Sequence, residues 1–287
     1  MIGLILAIAL SMWSGYQGLY EESKLLAFAD SLYHEGEYES ALAEYKRFLF
    51  LFPASDFAPQ VRYRIGSCYQ RLGRYSKAIA AYEAFLSLYP ASPMAERARL
   101  KIGECYLLMG EREEAERRLR KLVDSPAEDV AIRARFLMGL MEVEARRWGE
   151  AARWFRSIME EYPNSDQAIL AGQMYDLSRE GMKLKRRSGL KAALLSSLLP
   201  GAGQVYGGEV ERGLRVAAAF GISAVSLAYY SSRGRTLPAL TFAFLSGAIY
   251  IWNIRDSIET AHKWNARQRA RILEAMKKRI EEGAISR

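Results

Sequence analysis

The sequence predicts an all-α protein: a helical solenoid built from repeats, followed by a helical membrane domain. Three observations carry this. A period of 37 residues separates Gly36, Gly73 and Gly110, and other columns keep the same spacing through the first 180 residues. Two uncharged windows, 216–232 and 236–254, approach the roughly 20 apolar residues that span a bilayer. Charge is divided unevenly. Residues 1–182 hold 23 basic and 26 acidic side chains and residues 183–287 hold 18 and 7, so net charge changes from −3 to +11 along the chain.

Composition narrows the function classes. The 287 residues are 50% hydrophobic and 26% charged with a mean hydropathy of −0.13, too polar for a polytopic transporter and too apolar for a disordered chain. The two cysteines, Cys68 and Cys105, form no C-x-x-C pair and share the chain with only two histidines, His34 and His262. Zinc clusters and disulfide scaffolds are therefore excluded, and nucleophilic catalysis lacks a base in a convincing setting. The expectation is a protein with no catalytic residues, no metal and no cofactor.

Residues 1–20 read as a signal peptide or signal anchor. The apolar run from Leu4 to Leu10 has the length of a signal core, although no Lys or Arg precedes it and no clean A-x-A follows. A lipoprotein anchor would need a cysteine there. The alternative is a buried first helix of the next domain.

Residues 21–182 read as about four helix pairs plus a capping helix. Ala29, Gly66, Gly103 and Gly139 form a small-residue column, and Leu32, Tyr69, Tyr106 and Glu142 form the next. The turn column is Gly36, Gly73, Gly110 and Arg146. Beyond it come Ala41, Ala78, Ala115 and Ala151, then Tyr45, Tyr82, Leu119 and Phe155, then Phe48, Phe85, Leu122 and Ile158. Pro53, Pro90 and Pro163 close three units, and Pro126 is displaced by one. Small residues let the two helices approach, with the alanine as the expected counterpart of the small column at the crossing. A turn glycine ends the first helix in the left-handed conformation, and proline stops the second. A pair buries only one face, so pairs must stack.

These columns resemble the tetratricopeptide repeat family. The three extra residues per unit, in linkers such as Tyr89-Pro90-Ala91-Ser92, are similar to the repeats of bacterial envelope proteins. The resemblance implies a groove, lined by the first helix of each pair, that binds a protein or peptide segment. Arg62, Arg64, Arg97, Lys101 and Arg135 lie on those first helices and could engage a carboxylate or an acidic segment. Cys68 and Cys105 occupy one column in consecutive units, a helix-packing distance apart, and read as buried free thiols.

Residues 183–255 read as the membrane domain. Its first segment, 190–206, is interrupted by Pro200, Gly201, Gly203, Gln204 and Tyr206, so a re-entrant turn or a short broken helix is expected, followed by spans at about 213–232 and 236–254. Gly221, Ser223, Ser226, Ser246 and Gly247 would permit close helix contact. The run P-G-x-G-Q-x-Y, with Gly213 after it, resembles a small bacterial membrane-domain family, which implies location and no activity. Gln204 and Tyr206 are expected to form a polar cluster at the break. Residues 256–287 read as a basic amphipathic helix in which Ile272, Met276 and Ile280 share a face, lying against anionic lipid headgroups; nucleic acid is not an expected partner.

Both flanks of the apolar region are basic and favour the cytoplasm. If residues 192–206 cross as a third broken span, the repeats can be periplasmic and the tail cytoplasmic, and this is the preferred reading. The whole is expected to be a non-catalytic scaffold of the bacterial inner membrane, serving envelope assembly or organisation. The alternative makes the membrane domain the active part of an envelope transport or assembly complex, with the repeats recruiting substrate.

Overall fold

The computed structural model describes residues 22–285, and among these every regular element is an α-helix. The expected export signal at residues 1–20 lies outside the described residues. Contacts divide the chain into two compact units: one runs to Ala145 and takes in Ser157–Gln167, and the other comprises Arg146–Arg156 and the chain from Ala168 onward.

The first unit is built from successive helix pairs: α1 (Glu22–His34) with α2 (Tyr38–Leu51), α3 (Ala58–Arg71) with α4 (Tyr75–Leu88), and α5 (Ala95–Met109) with α6 (Arg112–Arg120), followed by α7 (Glu128–Glu144). Each turn is closed the same way. Gly36, Gly73 and Gly110 adopt φ of +87°, +70° and +80°, and the next residue's N–H reaches back five residues, as Glu37 does to the Leu32 carbonyl at 2.9 Å. The fourth turn residue, Arg146, also takes φ +62°, the only described non-glycine to do so.

The core is the set of repeat columns. Ala29, Ala41, Tyr45, Phe48, Ala78, Tyr82, Phe85, Ala115 and Leu119 are all fully buried. The reason for the small column differs from the expected one. A Cβ on Gly66 would come within 2.6 Å of the Tyr82 ring, and one on Gly103 within 2.8 Å of Leu119 Cδ2. The small residue therefore makes room for the aromatic column, not for the alanine. Unit three shortens its second helix to nine residues, which is where Pro126 is displaced; Leu122 stays buried in the turn that follows. Both cysteines are buried free thiols, and burial pushes Cys68 up to about 12 and Cys105 up to about 11.

The second unit takes in most of α8 (Trp148–Glu161), then α9 (Asp166–Lys183) and the carboxy-terminal elements. There, α10 (Gly189–Leu198) and α11 (Ala202–Tyr206) are joined by the turn Leu199-Pro200-Gly201. Ten residues of helix rise about 15 Å, half the hydrocarbon thickness of a bilayer. The chain then doubles back, so that Tyr206 Oη accepts from the Ser188 N–H at 3.1 Å. The segment is thus an arm that folds back on itself, a geometry compatible with the expected re-entrant turn.

Helices α12 (Val210–Ser232) and α13 (Thr236–Ile285) make an antiparallel hairpin around Arg233-Gly234-Arg235. Ser223 Oγ meets Ser246 Oγ at 2.8 Å across it, as the small-residue pattern anticipates. Gly221 and Gly247 do not contribute, since a Cβ on either would meet nothing within 4 Å. Both helices are long and apolar enough to cross a membrane. The expected separate tail helix is a continuation of α13, unbroken through Ile254. Its apolar stripe is not free for headgroups: Ile272 and Met276 are buried in the protein, and Gly283 lies against Leu170.

Candidate functional site

On the first-helix face four of the five expected cations are committed to carboxylates. Arg64 lies 3.5 Å from the Asp30 carboxylate, with its guanidinium over the Tyr33 ring at 5.0 Å. Arg97 pairs with Asp129 at 2.8 Å, and Lys101 donates to Glu104 at 2.8 Å. Arg62 is half-buried, with a buried Nε that has no hydrogen-bond partner.

Arg135 requires a correction. It is 5% exposed, donates to the Val123 carbonyl at 2.8 Å, and pairs with Asp124 at 3.0 Å and Glu161 at 2.7 Å beneath the Tyr162 ring. A buried guanidinium so matched ties helix ends together and is too little exposed to serve as a groove cation.

The residue at the centre of this face is an anion, Glu104, which the cation pattern of the sequence does not reveal. It is 8% exposed and joins three first helices, accepting from Lys101, from Arg133 at 3.0 Å and from Gln70 at 3.4 Å. Burial works to raise its carboxyl pKa, and the Lys101 and Arg133 charges outweigh it, holding the group below its ordinary 4.5. Asp30, Ser67 and Glu104 stand 37 residues apart in one column. Tyr45 donates to Asp30, and the Tyr82 and Ser67 hydroxyls meet at 3.1 Å. In the third unit Leu119 replaces the tyrosine, so Glu104 turns outward to its cations. The signal was a carboxylate opposite a column where the hydroxyl is missing. What results is an exposed row of mutually paired charges able to exchange partners with a docked segment carrying both signs.

The second candidate, in the carboxy-terminal unit, is a buried polar knot. Gln204 is fully buried; its amide donates to the Asn253 carbonyl and to Asp256, both at 3.0 Å, and accepts from Ser196 at 3.2 Å. Asn253 holds both sides of the turn, accepting from the Gly201 N–H at 3.0 Å and donating to the Ser196 carbonyl at 2.9 Å. Arg212 grips Asp256 with two donors and lies 3.4 Å from Glu209. The glycines are required by distance. A Cβ on Gly201 would fall 2.1 Å from the Gly213 carbonyl, and one on Gly203 2.2 Å from that of Ala192. Pro200 stands at the turn itself. Gln204 and Tyr206, expected as a polar cluster, do occur in one segment, but Tyr206 belongs to the arm's base, under Lys191 and Arg187. The sequence motif missed Asn253, Asp256 and Arg212, whose part is visible only once α13 packs against the arm. The side chains of this knot bond chiefly to one another, so the arrangement fixes a turn.

Among the described residues, no group of three or more His, Cys, Asp or Glu side chains is placed to hold a metal ion. Two tetratricopeptide-repeat family models match the chain, over residues 26–93 and 71–135. Residues 26–135 carry tetratricopeptide repeats. The chain is also similar to several solved structures. The MamA protein is 19% identical, with 57% of this chain and 84% of that one covered and a TM-score of 0.44. A tetratricopeptide repeat protein from Parabacteroides merdae is 16% identical over 90% and 98%, TM-score 0.45. The Rap conjugation gene regulator of the plasmid pLS20, solved with the Phr* peptide, is 16% identical over 84% and 77%, TM-score 0.44. No curated protein matches the chain. The tetratricopeptide repeats thus supply a scaffold suited to protein binding.

Proposed function

We propose that this protein is a non-catalytic, membrane-anchored scaffold whose tetratricopeptide repeats bind a protein or peptide segment on the first-helix face, in the service of bacterial envelope assembly or organisation. The observation that carries the binding half is the row of paired charges around Glu104, Arg97 and Arg64. Pairs that satisfy one another in the free protein keep the face soluble, and a segment of matching charge replaces them without burying a lone ion. The anchoring half rests on α12 and α13, whose apolar side chains point outward: Ile222, Val225, Leu240 and Phe244 are all exposed. Contiguous apolar surface on this scale marks contact with lipid or a partner.

Two crossings with a re-entrant arm put residue 182 and the carboxy terminus on one side of the membrane. The inner-membrane placement and the envelope role remain part of this proposal. A periplasmic repeat domain would then bring the tail with it, whereas the excess of basic residues after Met182 favours the cytoplasmic side for both. The test of binding is site-specific photo-crosslinking in cells of the full-length protein. A crosslinker at exposed Arg97 is expected to trap discrete partners, and one at exposed Lys77, on the second helix of its pair, is expected to trap none of them. Equal trapping at both would remove the first-helix face from the account.

A further inference from the structure

Five of the basic residues that follow the repeats, Lys185, Arg186, Arg187, Lys263 and Arg269, line two adjoining open cavities in the carboxy-terminal unit, of about 550 and 770 Å3, which share Arg186, Asn265 and Arg269. The first adds Arg146, Lys185 and the indoles of Trp148 and Trp264; the second adds Arg187 and Lys263. No aspartate or glutamate lines either one. Arg146, Lys185, Arg186 and Arg269 have no ion-pair partner among the described residues, whereas Lys263 pairs with Glu259 at 2.6 Å.

Arg187 is the most telling. Its backbone is clamped by Asn265, which accepts from the Arg187 N–H and donates to the Arg187 carbonyl, both at 2.8 Å. Its guanidinium is stacked on Trp264 at 4.1 Å. Its Nη1 is buried and has no hydrogen-bond partner. A buried charged donor left unsatisfied costs more than an exposed one, so a group fixed in this state is prepared for an acceptor that carries charge. The clustering of like charges with few counter-ions is destabilising in the free protein and is relieved by an anion.

The cavity also opens where the apolar surface begins. Gly189 and His262 line its wall, and α10 runs from there with Leu190, Leu194 and Leu198 exposed. We propose that this cavity binds a phosphate-bearing anion, presented in the cell as the headgroup of an anionic phospholipid whose acyl chains follow the α10 leucines. The phosphate site rests on the cavity alone; its lipid form rests on the membrane-anchor reading above.

The test uses the full-length protein in a neutral detergent, titrated with dihexanoyl phosphatidylglycerol, with glycerol 3-phosphate and with dihexanoyl phosphatidylcholine. Saturable binding of the phosphatidylglycerol, at least tenfold tighter than of glycerol 3-phosphate and absent for phosphatidylcholine, is the expected result. Arg186→Gln with Arg269→Gln should weaken it tenfold or more, the corresponding pair of lysine substitutions should retain most of it, and Arg233→Gln with Arg235→Gln at the hairpin tip should leave it unchanged. Equal affinity for the two phosphates keeps the anion site and overturns the lipid as its source. Equal binding of phosphatidylcholine, or no loss in the glutamine pair with its helical content intact, overturns the site. Flotation with pure phosphatidylcholine liposomes reads the anchor separately: failure to float with phosphate binding intact sinks the membrane reading and leaves the site.

Discussion

Arg146 and Glu104 show how much one position in a repeat can carry. The turn column demands a left-handed residue, and three units supply glycine while the fourth holds Arg146 at φ +62°. A side chain there costs roughly 1–2 kcal/mol, so Arg146→Gly is expected to stabilise the protein by about 1 kcal/mol after the larger unfolded-state entropy of glycine is deducted. Urea unfolding of the two proteins measures this, and a lower midpoint for the glycine variant would contradict it. For Glu104 the sign is that of a depressed carboxyl: the ion pairs contribute above the ordinary value of 4.5 and are lost as pH falls through the lower folded value. Glu104→Gln should cost about 1–2 kcal/mol at pH 7 and flatten the acid limb of the stability curve below pH 4.5. An unchanged acid limb would separate Glu104 from Lys101 and Arg133.

At the scale of elements, the repeats were legible because each column serves the same local purpose four times. Gly36, Ala41, Tyr45 and Phe48 recur at fixed spacing, so their roles as turn, contact and core follow from the chain alone. Arg135 was misread for the same reason: its first-helix position resembles its neighbours', and only the tertiary approach of Asp124, Glu161 and Tyr162 makes it a buried tie. The arm formed by α10 and α11 was half legible. Pro200 and Gly201 announce a break, yet whether the chain crosses or returns depends on Asn253 and Asp256, some 50 residues away. The hairpin itself makes a sharp prediction. Phe244 is 82% exposed on α13, so on the surface of a soluble hairpin Phe244→Arg would be benign or would improve solubility. Facing lipid, an arginine near a helix centre costs about 2.5–3.5 kcal/mol. Phe244→Arg is therefore expected to reduce the fraction of protein resisting alkaline carbonate extraction from membranes, and an unaltered fraction would argue for a soluble hairpin.

For the whole molecule, the division of charge visible in the sequence has a structural meaning. The near-neutral repeats satisfy their charges internally, through pairs such as Arg97–Asp129 and Arg74–Glu39, while the +11 of the last 105 residues is left partly uncompensated beside an apolar hairpin. On the proposed reading, a molecule so built would bring a protein-binding surface to a membrane and raise the local concentration of whatever the repeats hold. The central claim is therefore the hairpin's crossing. Compartment-specific reporters, active only in the cytoplasm or only in the periplasm, inserted after Met182, at Gly234 and after Arg287 in the full-length protein, test it most directly. The account predicts one compartment for 182 and 287 and the opposite compartment for 234. The same compartment at all three sites would contradict the anchor, and opposite compartments at 182 and 287 would contradict the re-entrant arm.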